Sequence, residues 1–153
     1  MNLKFLCCLI VLFVSLSKMD AQSANVHFDS TLTAKYGADD YGMKWYILVL
    51  LKTGTGVEQD AGKRKELFEG HLKNIRSLAD QGKLTVAGPL EKNDRYRGIF
   101  ILNLSNKEDA LLLLESDPAI KAKLLEPELI RWYGSAALPA YLEVEGKLGK
   151  FRF

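Results

Sequence analysis

Among the side chains of this sequence, His71 is the one best suited to move a proton near neutral pH. It lies in Glu66-Leu67-Phe68-Glu69-Gly70-His71-Leu72-Lys73-Asn74-Ile75, a segment with helical periodicity. Leu67 and Ile75 stand one turn before and one turn after it, so the imidazole shares the apolar stripe that turns toward a core. The other histidine, His27, falls in a polar stretch near the N-terminus. A titratable group on a core-facing stripe is either a site for acid/base work or a core histidine bonded to a backbone carbonyl. Asp117 is the carboxylate that could orient it. An Asp that accepts the Nδ1–H of an imidazole fixes its tautomer and stabilises the imidazolium, leaving Nε2 to exchange a proton with a ligand. Asp117 also precedes Pro118, the pattern of an N-cap followed by proline at the first helical position. A carboxylate has acceptor sites enough for both roles.

Further polar and aromatic groups are candidates for holding a small-molecule ligand. Arg95 and Arg97 flank Tyr96, and either guanidinium suits a carboxylate or phenolate, or simply a solvated turn. Trp132 and Tyr133 suit stacking on a planar ligand, or packing in a core or a dimer interface. Other familiar sites are missing. Gly54-Thr55-Gly56 lacks the rest of a phosphate-binding loop, and no nucleophile elbow occurs. One His and one Asp under-ligand a metal, haem ligation by His71 has no supporting residue, and no cofactor is expected.

These side chains must be positioned by one domain preceded by a targeting segment. Lys4 comes before an apolar run from Phe5 to Leu16. A dozen residues is too short to span a bilayer, which takes roughly 20. It fits the core of a secretory signal peptide, better than an uncleaved anchor or a misassigned start. Cys7 and Cys8 begin this run, whereas a lipid-attachment cysteine would end it. Cleavage between Ala21 and Ser23 is expected, which gives a secreted or periplasmic protein with no stable membrane span. Both cysteines leave with the signal, so neither a disulfide nor a thiolate is available to the mature chain. The full sequence has 153 residues and a net charge of +2; removing Lys4, Lys18 and Asp20 leaves roughly +1. Charges of both signs are interspersed, which disfavours a nucleic-acid partner.

The division expected is a signal peptide over 1–22, a polar arm or linker over 23–42, one domain over 43–136 and a partly helical extension over 137–153. Lys44 to Lys52 is a short apolar run rich in aromatic and branched residues, read as a central strand. A helix follows over about Ala61 to Gln81, stopped by Gly82. Leu84 to Leu90 is the second strand, bent or ended at Gly88-Pro89, and Arg97 to Leu104 the third. Ser105 and Glu108 form a capping-box pattern for a second helix. Asp117-Pro118 interrupts that helix, and Glu128 to Tyr133 is the fourth strand. The order β-α-β-β-α-β is the split βαβ arrangement of ferredoxin-like α+β folds. Both helices then cover one face of a four-stranded antiparallel sheet. The other face is apolar too, and at about 25 cal/mol per Å² its burial favours a homodimer packed sheet to sheet.

Several elements in this order resemble the YCII-related (YciI-like) family. They are Trp45-Tyr46-Ile47-Leu48-Val49-Leu50, His71, Gly82-Lys83-Leu84-Thr85-Val86-Ala87-Gly88-Pro89-Leu90, Arg97-Gly98-Ile99-Phe100 and Ser116-Asp117-Pro118-Ala119-Ile120. The resemblance spans roughly Lys44 to Tyr133. It implies a dimeric α+β barrel and an active site with a His-Asp pair, which maps onto His71 and Asp117. Most of the family has no established reaction. A chlorinated-aromatic dehydrochlorinase among its relatives implies acid/base elimination as a chemistry open to the pair. A non-catalytic binding or accessory protein with a structural His-Asp pair is the alternative. The signal peptide, the polar arm and the tail beyond Gly134 depart from the small cytosolic members.

Overall fold

The computed structural model describes residues 25–150; the segment expected to be a signal peptide, with both cysteines, lies outside them. Helix α1 spans Ser30–Tyr36, strand β1 Met43–Thr53 and helix α2 Ala61–Asp80. Strands β2 (Leu84–Pro89) and β3 (Tyr96–Leu102) follow, then helix α3 (Lys107–Leu114) and the single turn α4 (Pro118–Lys121). Strand β4 (Leu125–Ser135) leads into a 3-10 turn over Leu138–Tyr141 and a last turn of helix, α5, over Leu142–Glu145. The sheet order is β2-β3-β1-β4 and all three pairings are antiparallel. This is a ferredoxin-like α+β fold.

Period-two alternation divides the strands cleanly. Ile47, Val49, Leu51, Phe100 and Leu102 turn to the helices and pack with Leu78, Ala110 and Leu114. Their neighbours Leu48, Leu50, Ile99, Ile101 and Val86 turn to the opposite face, where each is only half-buried. Ile130, which pairs with Leu48, is exposed on that face.

Local chemistry sets the helix ends. Asp60 caps α2 through a 2.8 Å bond from the Lys63 amide. At the other end Gly82 takes φ +67°, a left-handed conformation that costs glycine little. Helix α3 starts one residue later than the Ser105 pattern predicts. Asn106 is its cap, accepting from the Asp109 amide at 2.8 Å. Asparagine is as good a cap as serine, and its amide also donates to the Asp109 carboxylate at 2.6 Å.

Three further differences concern the edges. Strand β4 begins at Leu125, three residues before the predicted start, because Thr53 and Leu125 already pair across β1. The polar arm contains α1, capped by Asp29, and it is docked. Lys44 Nζ donates to the Tyr36 carbonyl at 3.1 Å, and Lys35 pairs with Glu143 of the tail at 2.9 Å. Strand β2 carries a bulge, since Leu84 pairs with Leu102 but Val86 with Ile101.

Candidate functional site

Helix α2 and turn α4 meet on the helix side of the sheet. Gly70 permits the approach: a Cβ built there would stand 2.9 Å from Pro118 Cγ. This contact sets His71 beside Asp117, with Nδ1 2.8 Å from Asp117 Oδ2. Asn74, one turn along α2 on the same side, donates its Nδ2 to the same oxygen at 3.1 Å. The other oxygen, Oδ1, accepts the amides of Ala119 (3.0 Å) and Ile120 (3.2 Å), which makes Asp117 the N-cap of α4. Four donors fill the carboxylate's acceptor sites. Asp117 is therefore both cap and histidine partner.

Burial complete to 0 % exposure acts on Asp117 to raise its pKa. The bond and charge of His71, with the bonds from Asn74 and the Ile120 amide, outweigh that, and the pKa ends below the usual value. The carboxylate is thus ionised, and an ionised carboxylate only accepts. In a neutral ring the proton must then sit on Nδ1, which leaves the Nε2 lone pair available. The His71 ring stacks on Phe100 at 5.8 Å and 24°, and meets Phe68 edge-on at 6.3 Å. Its side chain keeps 11 % exposure. Nε2 makes no hydrogen bond with a described residue. Among the described residues the one buried side-chain polar atom without a partner is Thr85 Oγ1.

The remaining sequence candidates are not gathered at this pair. Trp132 stands across from Tyr46 on the open face, its ring 5.6 Å from the tyrosine and folded over Gly134. Tyr133 pairs with Trp45 and donates to the Asp39 carboxylate of the arm. Consecutive strand residues must point to opposite faces, so one ligand on one face cannot meet both rings. Arg95 lies over Tyr96 and reaches Glu128 at 3.5 Å. Arg97 donates to Thr53 Oγ1 at 2.7 Å and to the Asn93 carbonyl at 2.9 Å. Neither arginine touches His71. Asn74 and Gly70 escape a reading by residue type, although His-x-x-Asn places two polar groups on one helical face and a glycine inside a helix signals close packing.

Two cavities, of about 340 and 290 Å³, open elsewhere. The first lies between α2, β2 and the tail, and the second beside Gly54 and Lys123; neither includes His71. Among the described residues no cluster of three or more His, Cys, Asp or Glu is placed to hold a metal, and no helix is long and apolar enough to cross a membrane.

No family model matches the chain, and no curated protein matches it. Among solved structures, the fold is similar to the 5-chloro-2-hydroxyhydroquinone dehydrochlorinase of Burkholderia phenoliruptrix AC1100, in complex with 2,5-dihydroxybenzoquinone. The identity is 22 % over 56 % of this chain and 92 % of that one, with a TM-score of 0.41. A likeness this distant carries no argument about activity.

Proposed function

We propose that this chain is an exported YCII-like protein that handles a small molecule by acid/base chemistry of the lyase or isomerase type. His71 Nε2 takes or gives the proton, and Asp117 orients the ring and balances the charge that forms on it. The observation carrying this reading is the asymmetry of the imidazole. Nδ1 is closed by a saturated, ionised carboxylate, while Nε2 makes no hydrogen bond with a described residue and the side chain keeps 11 % exposure. A lone acid/base group needs a substrate whose own proton is acidic, such as a carbonyl compound or a hydroxylated aromatic. The resemblance of the residues around His71 and Asp117 to the YCII-related family supports the same class.

The rival reading is a non-catalytic binding or accessory protein. Its support is specific: His71 is mostly enclosed, and neither cavity includes it. Proton exchange separates the two without knowledge of the substrate. Small ketones and dihydroxybenzenes are incubated with the protein in D₂O, and loss of their exchangeable C–H signals is followed by NMR. Catalysed exchange with at least one compound, abolished in His71→Ala, is the expected result. Equal exchange by His71→Ala, or none by the wild type, removes the catalytic role.

The open sheet face supports a homodimer within the same reading. Leu48, Leu50, Val86, Ile99 and Ile101 form a half-exposed apolar surface there, and a second copy covers it sheet to sheet. Light scattering at micromolar concentration is expected to give twice the protomer mass; a monomer would sink the proposal. Export is checked by N-terminal sequencing of the mature protein, which should begin between Ala21 and Ser23.

A further inference from the structure

Proton transfer at His71 needs a group to hold the rest of the substrate, and Arg95 and Arg97 are bonded elsewhere. Helix α2 supplies another arginine. Arg64, Phe68 and His71 stand at i, i+4 and i+7, so they share one helical face. The Arg64 guanidinium lies over the Phe68 ring, 5.8 Å from its centre, and the His71 ring meets the same phenyl edge-on at 6.3 Å. Charge pairing around Arg64 is selective. Lys63 pairs with Glu58 at 3.2 Å, and Lys65 pairs with Glu69 at 3.6 Å. No carboxylate among the described residues pairs with Arg64 between them. Its side chain is exposed, and contact with a ring face engages none of its N–H groups with an acceptor. Phe68 thus positions a guanidinium whose planar fork is still open.

We propose that the substrate of the His71 site is an anion, a hydroxylated aromatic acid whose carboxylate pairs with the Arg64 fork while its ring lies against Phe68. This rests on His71 as the proton-transfer group. The seven residues from Arg64 to His71 are about 10.5 Å of helix. A one-ring aromatic acid, with a hydrogen bond of roughly 2.9 Å at each end, covers that distance. Arg64 therefore holds the remote end of the substrate and takes no part at the reacting atoms. A planar guanidinium matches a carboxylate through two parallel N–H···O bonds, which a neutral amide with one acceptor oxygen cannot complete. The site then selects acids over uncharged compounds of the same shape.

The probes are 4-hydroxybenzoate and 4-hydroxybenzamide, titrated at pH 7 into the whole mature protein while the Phe68 and His71 signals are followed by NMR. The acid is expected to bind about fivefold more tightly than the amide, the upper end for an exposed charge pair, and added salt should narrow the difference. Arg64→Gln changes an exposed position with no ion pair to lose, so it should fold and bind both probes alike. Arg64→Lys should recover part of the preference, because an ammonium keeps the charge and lacks the fork. Lys65→Gln removes the same charge one residue away and should leave the preference intact. His71→Ala should weaken both probes and keep the preference. Acid bound no better than amide, no saturable shifts with either probe, or an equal loss of preference in Lys65→Gln overturns the proposal. Proton exchange in D₂O by a wild type that shows no preference for the acid would sink this inference and leave the proton-transfer reading standing.

Discussion

Replacing Asp117 with Asn separates the two jobs of this carboxylate. Asparagine caps a helix as well as aspartate does, so its carbonyl oxygen should keep the Ala119 and Ile120 amides. Its NH₂ group must then take the place of Oδ2, facing His71 Nδ1 and Asn74 Nδ2, two donors in the wild type. Both charge-assisted bonds are lost, and a neutral bond from the NH₂ to Nδ1 replaces the one to His71 only if the ring shifts its proton to Nε2. Hydrogen bonds to a charged group contribute about 1.5–3 kcal/mol each. A neutral amide is cheaper to bury than a carboxylate, which returns part of that. The net destabilisation expected at pH 7 is about 2–4 kcal/mol, read by urea unfolding with an unchanged m-value. Its pH dependence follows from the depressed pKa of Asp117. A carboxylate whose folded pKa is lowered contributes stability that is fully present above its unfolded value, near 3.8, and is lost as pH falls through the folded value. The carboxylate's own contribution to the gap between wild type and Asp117→Asn should therefore be fully present above about pH 5 and shrink below it. Imidazole ¹⁵N shifts supply an independent readout. The neutral wild-type ring should carry its proton on Nδ1, and the variant ring on Nε2, because Nδ1 now faces an NH₂ donor. A gap below about 1 kcal/mol at neutral pH, with the tautomer unchanged, would refute the dual role of the carboxylate as cap and histidine partner.

Two further changes probe the same junction. Asn74→Ala removes one of the four bonds to Asp117 and should cost about 1.5–3 kcal/mol, while the ring keeps its Nδ1–H tautomer; thermal unfolding and ¹⁵N shifts check both halves. Gly70→Ala gains about 1 kcal/mol of helix propensity but drives a methyl to 2.9 Å from Pro118 Cγ. Overpacking of this kind costs about 1–3 kcal/mol, so a lower melting temperature and a weakened His71–Asp117 bond are expected. A variant more stable than the wild type would show that α4 can retreat freely.

What could be read from the sequence was governed by period. The alternation in β1 and the helical stripe of α2 each report which side faces the core, because burial repeats with the geometry of the element. Their order then fixes that α2 and the segment after α3 share one face, which is enough to bring His71 near Asp117. Features set by single contacts were not legible. The cap moved from Ser105 to Asn106 because two adjacent residues are both good caps, and their local energies differ too little to choose between. The ligand-binding grouping of Trp132 with Tyr133 ignored the strict alternation of a strand. Arg95 and Arg97 looked available only because their partners, Glu128, Thr53 and the Asn93 carbonyl, are distant or main-chain atoms. Nor does any local pattern announce the β2 bulge, since it depends on how Leu102 and Ile101 pair with the neighbouring strand.

The saturation of Asp117 also limits what the site can do. With four donors in place, the carboxylate has no lone pair to offer a substrate, and its depressed pKa makes it a poor base in any case. Acid/base work at this junction must then pass through Nε2 of His71. A single imidazole that takes a proton from one atom must return it to another part of the same molecule, or release it to solvent. The first is isomerisation; the second, coupled to departure of a leaving group, is elimination. Hydrolysis would need a second group to activate water or stabilise an oxyanion, and Arg95 and Arg97 are tied elsewhere. The geometry thus favours reactions whose charge the substrate itself can delocalise, which is why carbonyl and hydroxylated aromatic compounds are the first to try.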